Sequence, residues 1–241
     1  MISIVMTSWN RPALLRNTLE SIKKQVYGEL YPVARLEVEV IVVDTGIDTE
    51  TKTICAEYGA KRIDMQSATY RNPSSAINAG LKEASGEVVI LGNAECVHID
   101  PNTIESLAVL CTDTNAVFAH VFSLNQDGSK AMVYCGVERP AMFFFCGAMK
   151  SALWKRFQFD EDFVEPEYDD DDFAIRLREG GIAPLFTDIE VHHQYHERLK
   201  YDQVTSKALF LQKHPPKVWG RPAPSPIPVT SYGAMTQSYR G

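Results

Sequence analysis

The first ninety residues alternate short apolar runs with amphipathic stretches. Ile2 to Met6 is a continuous apolar run and predicts a buried strand. Pro12 stands where the first residue of a helix tolerates proline, and Leu14, Leu15, Leu19 and Ile22 then recur at helical spacing to about Gln25. Val38 to Val43 is rich in β-branched residues and predicts a second buried strand, ending on Asp44 and Gly46. A helix over Thr49–Tyr58, a short strand over Arg62–Met65, a helix over Ser74–Ala84 closed by Gly86, and a strand over Val88–Leu91 follow. This alternation implies an α/β protein whose parallel sheet is flanked by helices.

The pattern loosens after residue 100. Ile104–Leu110 reads as helix, and Val117–Phe122 and Ala131–Tyr134 as strands joined through the turn residues Asn125 to Gly128. A helix over Asp171–Glu179 stops at Gly180-Gly181, followed by a strand over Ile189–His193 and a helix over Val204–Leu211. From Pro215 six prolines fall within fourteen residues, so residues 214–241 are expected to form an extended tail behind a single domain spanning 1–213.

Composition narrows the classes. The longest strongly apolar stretch, Ala141–Met149, is far too short to cross a bilayer, so no transmembrane segment is expected. The first residues lack a basic leader region, which gives no sign of a signal peptide. Five cysteines without a C-x-x-C spacing suggest reduced thiols and a cytoplasmic protein. A net charge of −7 argues against a broad nucleic-acid footprint.

In open parallel sheets, ligands bind beyond the carboxyl ends of the strands. Three strands end there on polar residues: Thr7-Ser8-Trp9-Asn10-Arg11, Asp44-Thr45-Gly46 and Gly92-Asn93-Ala94-Glu95. Neither a G-x-G-x-x-G fingerprint nor a P-loop is present, which disfavours a glycine-cradled dinucleotide or ATP. Two further clusters carry chemistry: the acidic run Asp169–Asp172, and His192-His193-Gln194-Tyr195-His196. From composition alone the first reads equally as a solvated helix start, and the second as a zinc site without a nearby cysteine.

Ser3 to Arg11, Val40 to Gly46, Ala76-Ile-Asn-Ala-Gly80, Ala84 to Glu87, and the acidic run with Arg176-Leu177 and Gly180 occur in the order found in family 2 glycosyltransferases. The chain resembles that family over roughly Ser3 to His196. The resemblance implies a GT-A, Rossmann-like, mostly parallel sheet and an inverting sugar transfer from a nucleotide-sugar donor, with UDP as the family-level nucleotide.

It also implies residue roles. Thr7 and Trp9 match positions that touch the base, and Asp44 matches the carboxylate that accepts the base N–H. Arg11, Arg71, Asn93 and Ala94 fall along the donor path. Asp170 matches the general base, with Asp169 as its acidic neighbour. Glu95 and His193 match ligands of a Mn2+ or Mg2+ ion, with Asn93, His192 and His196 as alternates. The segment Phe143–Met149 with Phe159-Asp160-Glu161 resembles an acceptor-side wall. The family usually carries Asp-x-Asp where this chain has Asn93-Ala94-Glu95, so one carboxylate is missing from the metal motif.

The acceptor stays open among a glycan, a lipid-linked sugar, a protein and a modified nucleic-acid base. Two other readings stay open as well: a GT-A-like binding module without catalysis, and a nucleotidyltransferase, although its basic glycine-rich loop is missing.

Overall fold

The computed structural model describes residues 1–28, 37–67, 73–197 and 204–215. In chain order these form β1 (Ile2–Ser8), α1 (Pro12–Lys23), β2 (Val38–Asp44), α2 (Glu50–Glu57), β3 (Lys61–Asp64), α3 (Pro73–Glu83), β4 (Val88–Asn93) and β5 (Cys96–His98). Then come α4 (Thr103–Thr114), β6 (Ala116–Leu124), β7 (Lys130–Cys135), β8 (Cys146–Lys150), α5 (Ser151–Arg156), α6 (Asp169–Glu179), β9 (Leu185–His193) and α7 (Val204–Lys213). Arg71 and the proline-rich tail beyond Pro215 lie outside the described residues.

One sheet runs in the order β3-β2-β1-β4-β8-β6-β9-β5, with β7 paired to β6. The first four strands are parallel, as the alternating pattern predicts. The second half departs from a mostly parallel sheet. β8 is antiparallel to both β4 and β6, β9 runs parallel to β6, and β5 is antiparallel to β9. The turn through Asn125–Gly128 closes the expected hairpin between β6 and β7.

Strand alternation divides the core in two. Ile2, Ile4 and Met6 of β1 join Leu15, Leu19, Ile54, Leu107 and Cys111 from α1, α2 and α4 on one face. Val5 joins Ile77, Trp154, Phe173 and Leu177 from α3, α5 and α6 on the other. α3 lies so close that a Cβ on Gly80 would meet Val5 Cγ1 at 2.4 Å and Val43 Cγ2 at 2.9 Å. Burying both faces makes the strands read as continuous apolar runs, and it leaves their carboxyl edge as the place where polar groups gather.

Candidate active site

Three loops converge at that edge. After β1, Asn10 adopts a left-handed φ of 50° and its Oδ1 accepts hydrogen bonds from the Ile47 and Asp48 amides at 2.7 and 3.3 Å. This ties the β1–α1 loop to the β2–α2 loop. Gly46 must be a glycine here, because a Cβ would lie 2.6 Å from the Asn10 nitrogen. The Ala94 amide donates to the Thr7 carbonyl at 3.3 Å, and Thr18 Oγ1 donates to the Ala94 carbonyl at 2.7 Å, so the turn after β4 is anchored too.

Between these loops lies a cavity lined by Thr7, Ser8, Trp9, Arg11, Thr45, Pro73, Ala76, Asn93 and Glu95. Five residues expected from the sequence, Thr7, Trp9, Arg11, Asn93 and Glu95, therefore meet around one space. Ser8 and Thr45, placed at this edge by the sequence without a role of their own, line it too. The Ser8 hydroxyl is buried and has no hydrogen-bond partner among the described residues, an arrangement native interiors rarely tolerate without a ligand or water.

Two expected donor contacts stand elsewhere. Ala94 is fully buried in the core and both its backbone groups are committed to the fold. Asp44 is also without exposed surface, behind the cavity rather than on it. Its Oδ2 pairs with Arg62 at 2.8 Å and its Oδ1 accepts the Gly46 amide at 3.1 Å. Burial pushes the Asp44 carboxyl upward, and the Arg62 hydrogen bond opposes that shift. Arg62 was not read from the sequence, although the β2–β3 register pairing Val42 with Arg62 puts it next to Asp44.

Glu95 is 3 % exposed, and its Oε1 accepts a hydrogen bond from Arg11 Nη1 at 2.8 Å. The Asn93 side-chain oxygen accepts the Glu95 amide at 3.2 Å. Gln194, another unforeseen residue, clamps the same turn: its backbone and side-chain N–H groups both donate to the Glu95 carbonyl, at 2.9 and 3.2 Å.

The histidines separate by strand alternation. His193 pairs with Cys96 across β5–β9 and packs its ring against Tyr134 and Phe145, with His196 5.1 Å away. Burial, with the nearby charges of His196 and Arg11, pushes its pKa down to about 4, so the ring is neutral. His192 points the other way, to Glu190 and Phe122, and so does not join Glu95 as an alternate ligand.

The expected Mn2+ or Mg2+ site can be judged on these groups. Among the described residues no three His, Cys, Asp or Glu side chains converge as a ligand set. The single carboxylate is already neutralised by Arg11, and the Asn93 oxygen is turned onto a backbone amide. Hard divalent ions of this kind are held by one or two free carboxylates together with substrate phosphates and waters. The arrangement does not fit one.

The second acidic centre opens α6. Glu167 and Tyr168 both hold left-handed backbone, φ 78° and 68°, immediately before Asp169. Such strain persists where the surroundings impose it. The helix begins at Asp169, two residues before the sequence signal, because four carboxylates suit the positive end of a helix. Asp172 is bound by Arg176 at 2.7 Å and by His214 of the segment after α7 at 2.8 Å. Burial first, and then the charges of Asp169 and Asp171, push the Asp170 carboxyl well above the usual range. Burial also raises Asp169, to about 6.

Burial first, and then the charges of Cys146 and Glu95, raise the Cys96 thiol; burial, Cys146 and Asp170 raise Cys135 in the same way. Tyr134 stacks on Phe145 at 4.7 Å, and Phe143 meets Phe145 edge-on.

Parallel strands β3-β2-β1-β4 flanked by helices, continued by the mixed strands β8, β6, β9 and β5, define a GT-A class fold. The glycosyl transferase family 2 model matches residues 3–164, and the chain belongs to that family. No curated protein sequence matches it. Among solved structures it resembles a mannosyltransferase, PcManGT from Pyrobaculum calidifontis, solved with GDP-Man and Mn2+ (18% identity, TM-score 0.61, covering 82% of this chain and 57% of that one). It also resembles S. aureus TarS 1-349 solved with UDP-GlcNAc (18% identity, TM-score 0.61, 83% and 61%). Both are likenesses of fold, and this chain spans about three-fifths of the length of either. Among the described residues no helix is long and apolar enough to cross a membrane.

Proposed function

We propose that the protein is an inverting glycosyltransferase that takes a sugar from a nucleoside diphosphate donor, with a UDP-sugar as the first candidate. The observation that carries this reading is the single cavity uniting Thr7, Ser8, Trp9, Arg11, Thr45, Asn93 and Glu95, with a buried, unpartnered Ser8 hydroxyl on its wall. Trp9 offers a flat apolar surface to a base, Thr7 and Ser8 offer polar groups to the nucleoside, and Arg11 offers charge to the diphosphate.

Asp170 is the general base. Burial and the charges of Asp169 and Asp171 raise its proton affinity, which favours a base acting on an alcohol. The acceptor hydroxyl gives its proton to Asp170 while its oxygen bonds to the anomeric carbon. The bond to the diphosphate oxygen breaks on the opposite face, and the electron pair leaves with the diphosphate. Asp169 acts through the charge it places on Asp170. Asp44 holds Arg62 and the Gly46 turn, and so fixes the loop that carries Thr45. Five free, buried thiols support a reducing compartment such as the cytoplasm.

The test is a panel of nucleotide sugars assayed for slow hydrolysis, with Asp170→Asn as control. Hydrolysis of one donor that the variant abolishes supports the reading. A donor bound but not hydrolysed would favour a non-catalytic module, and no donor bound at all would sink the reading.

A further inference from the structure

The donor diphosphate acquires negative charge when the glycosidic bond breaks, and that charge needs a positive partner. A motif with two carboxylates carries −2 and attracts a divalent cation. Here Asn93 removes one of those charges and Arg11 cancels the other, at 2.8 Å from Glu95. The pair is largely desolvated, since Glu95 is buried and the Arg11 side chain is 21% exposed. Pulling Arg11 away to seat a metal would leave a buried charge without its partner, which is costly.

Arg11 is only partly spent by this contact. A guanidinium has five N–H donors, and Glu95 is the one side-chain partner Arg11 has among the described residues. Arg11 lines the same cavity as Thr7, Ser8 and Trp9, so its remaining donors border the space assigned to the donor. Guanidinium and phosphate geometry match through parallel hydrogen bonds.

We propose that Arg11 is the cation of this site: it binds the donor diphosphate directly, Glu95 is its positioning residue, and donor binding needs no divalent metal. This rests on the donor reading above and deepens it.

The test is calorimetric titration of the protein with UDP, GDP, uridine and guanosine, in excess EDTA and again in saturating Mn2+. Wild type is compared with Arg11→Ala, Arg11→Lys, Glu95→Gln and Glu95→Ala, each checked for folding by thermal melt. The wild type should bind one diphosphate with affinities that agree within about threefold in EDTA and Mn2+. Arg11→Ala should weaken that diphosphate by roughly 10- to 100-fold and leave nucleoside affinity unchanged, the loss expected for charge-assisted hydrogen bonds. Glu95→Gln still accepts from Arg11 and should retain most of the affinity that Glu95→Ala loses. If Arg11→Ala melts early, Arg11→Lys serves instead, keeping charge and losing the fork. A tenfold gain from Mn2+ that Glu95→Gln removes would overturn the proposal while leaving the donor reading intact. Equal loss of nucleoside and diphosphate in the Arg11 variants would overturn it too. No binding of any nucleotide under either condition would sink both.

Discussion

At the carboxyl edge of the parallel strands two buried carboxylates each have a guanidinium, Asp44 with Arg62 and Glu95 with Arg11, each at 2.8 Å. At the start of α6 four carboxylates crowd together, and among the described residues Asp172 is the one of the four with a contact ion pair. Both regions are acidic, with Asp170 and Asp171 half-buried where Asp44 and Glu95 are buried, and they hold protons differently. Arg62 opposes the rise that burial imposes on Asp44, whereas burial and neighbouring charge act together on Asp170. Paired acids build a rigid, charge-balanced wall; unpaired ones store the proton affinity that base catalysis uses.

The sharpest way to break this contrast is Asp170→Asn. It keeps the shape of the side chain and removes the proton acceptor, so turnover should fall by about 10²–10⁴-fold. Diphosphate affinity should move little, because Asp170 does not line the cavity proposed for the donor. Near-normal turnover, with Asp169→Asn or Asp172→Asn dead instead, would reassign the base.

Asp44→Asn probes the paired side. Loss of the charge-assisted bonds from Arg62 should lower unfolding free energy by roughly 1.5–3 kcal/mol, seen in urea denaturation. Nucleotide affinity should weaken with it as the Thr45 loop loosens. An unchanged stability would mean that Arg62 and Asp44 gain nothing from each other.

The pH profile offers a finer test. A base must be unprotonated, so turnover should fall as pH drops through the raised pKa of Asp170. Asp171→Asn removes a negative charge that favours the protonated form, and the acid limb should shift to lower pH. A shift upward would contradict the electrostatic account.

The last expected effect is on stability. Asp169 is near 6 in the fold and has an ordinary value of 3.8. Its contribution to stability is full below about pH 4 and is lost as pH rises through about 6. Asp169→Asn should therefore flatten the fall in stability between those values, by roughly 2 kcal/mol in denaturation curves taken at both ends.

How much of this was legible follows from particular residues. β1, β2 and β4 announce themselves because both faces are buried, which forces continuous apolar runs. β8 stayed hidden. Gly147 faces Phe118, where a Cβ would lie 2.8 Å from the ring, so packing demands a residue with no strand propensity at all. β5 has three residues and α5 six, too few to show a period. In the site, Thr7, Trp9, Arg11 and Glu95 were readable because they end strands. The Arg11–Glu95 and Asp44–Arg62 pairs were not, because side-chain pairing depends on register and on which face each residue takes.

The position of β8 sets an order of events during synthesis. β4 is made early and pairs on one side with β1, but its other neighbour is residues 146–150, which emerge only after α4, β6 and β7. Until then Val88–Leu91 presents an apolar strand with one bare row of backbone donors and acceptors. β6 waits in the same way for β8 and β9. A nascent chain stalled near residue 140 would hold a parallel half-sheet with a sticky margin, the kind of species that chaperones engage. Placing a late strand at the centre of the sheet makes its delivery the step that joins the two halves into one body.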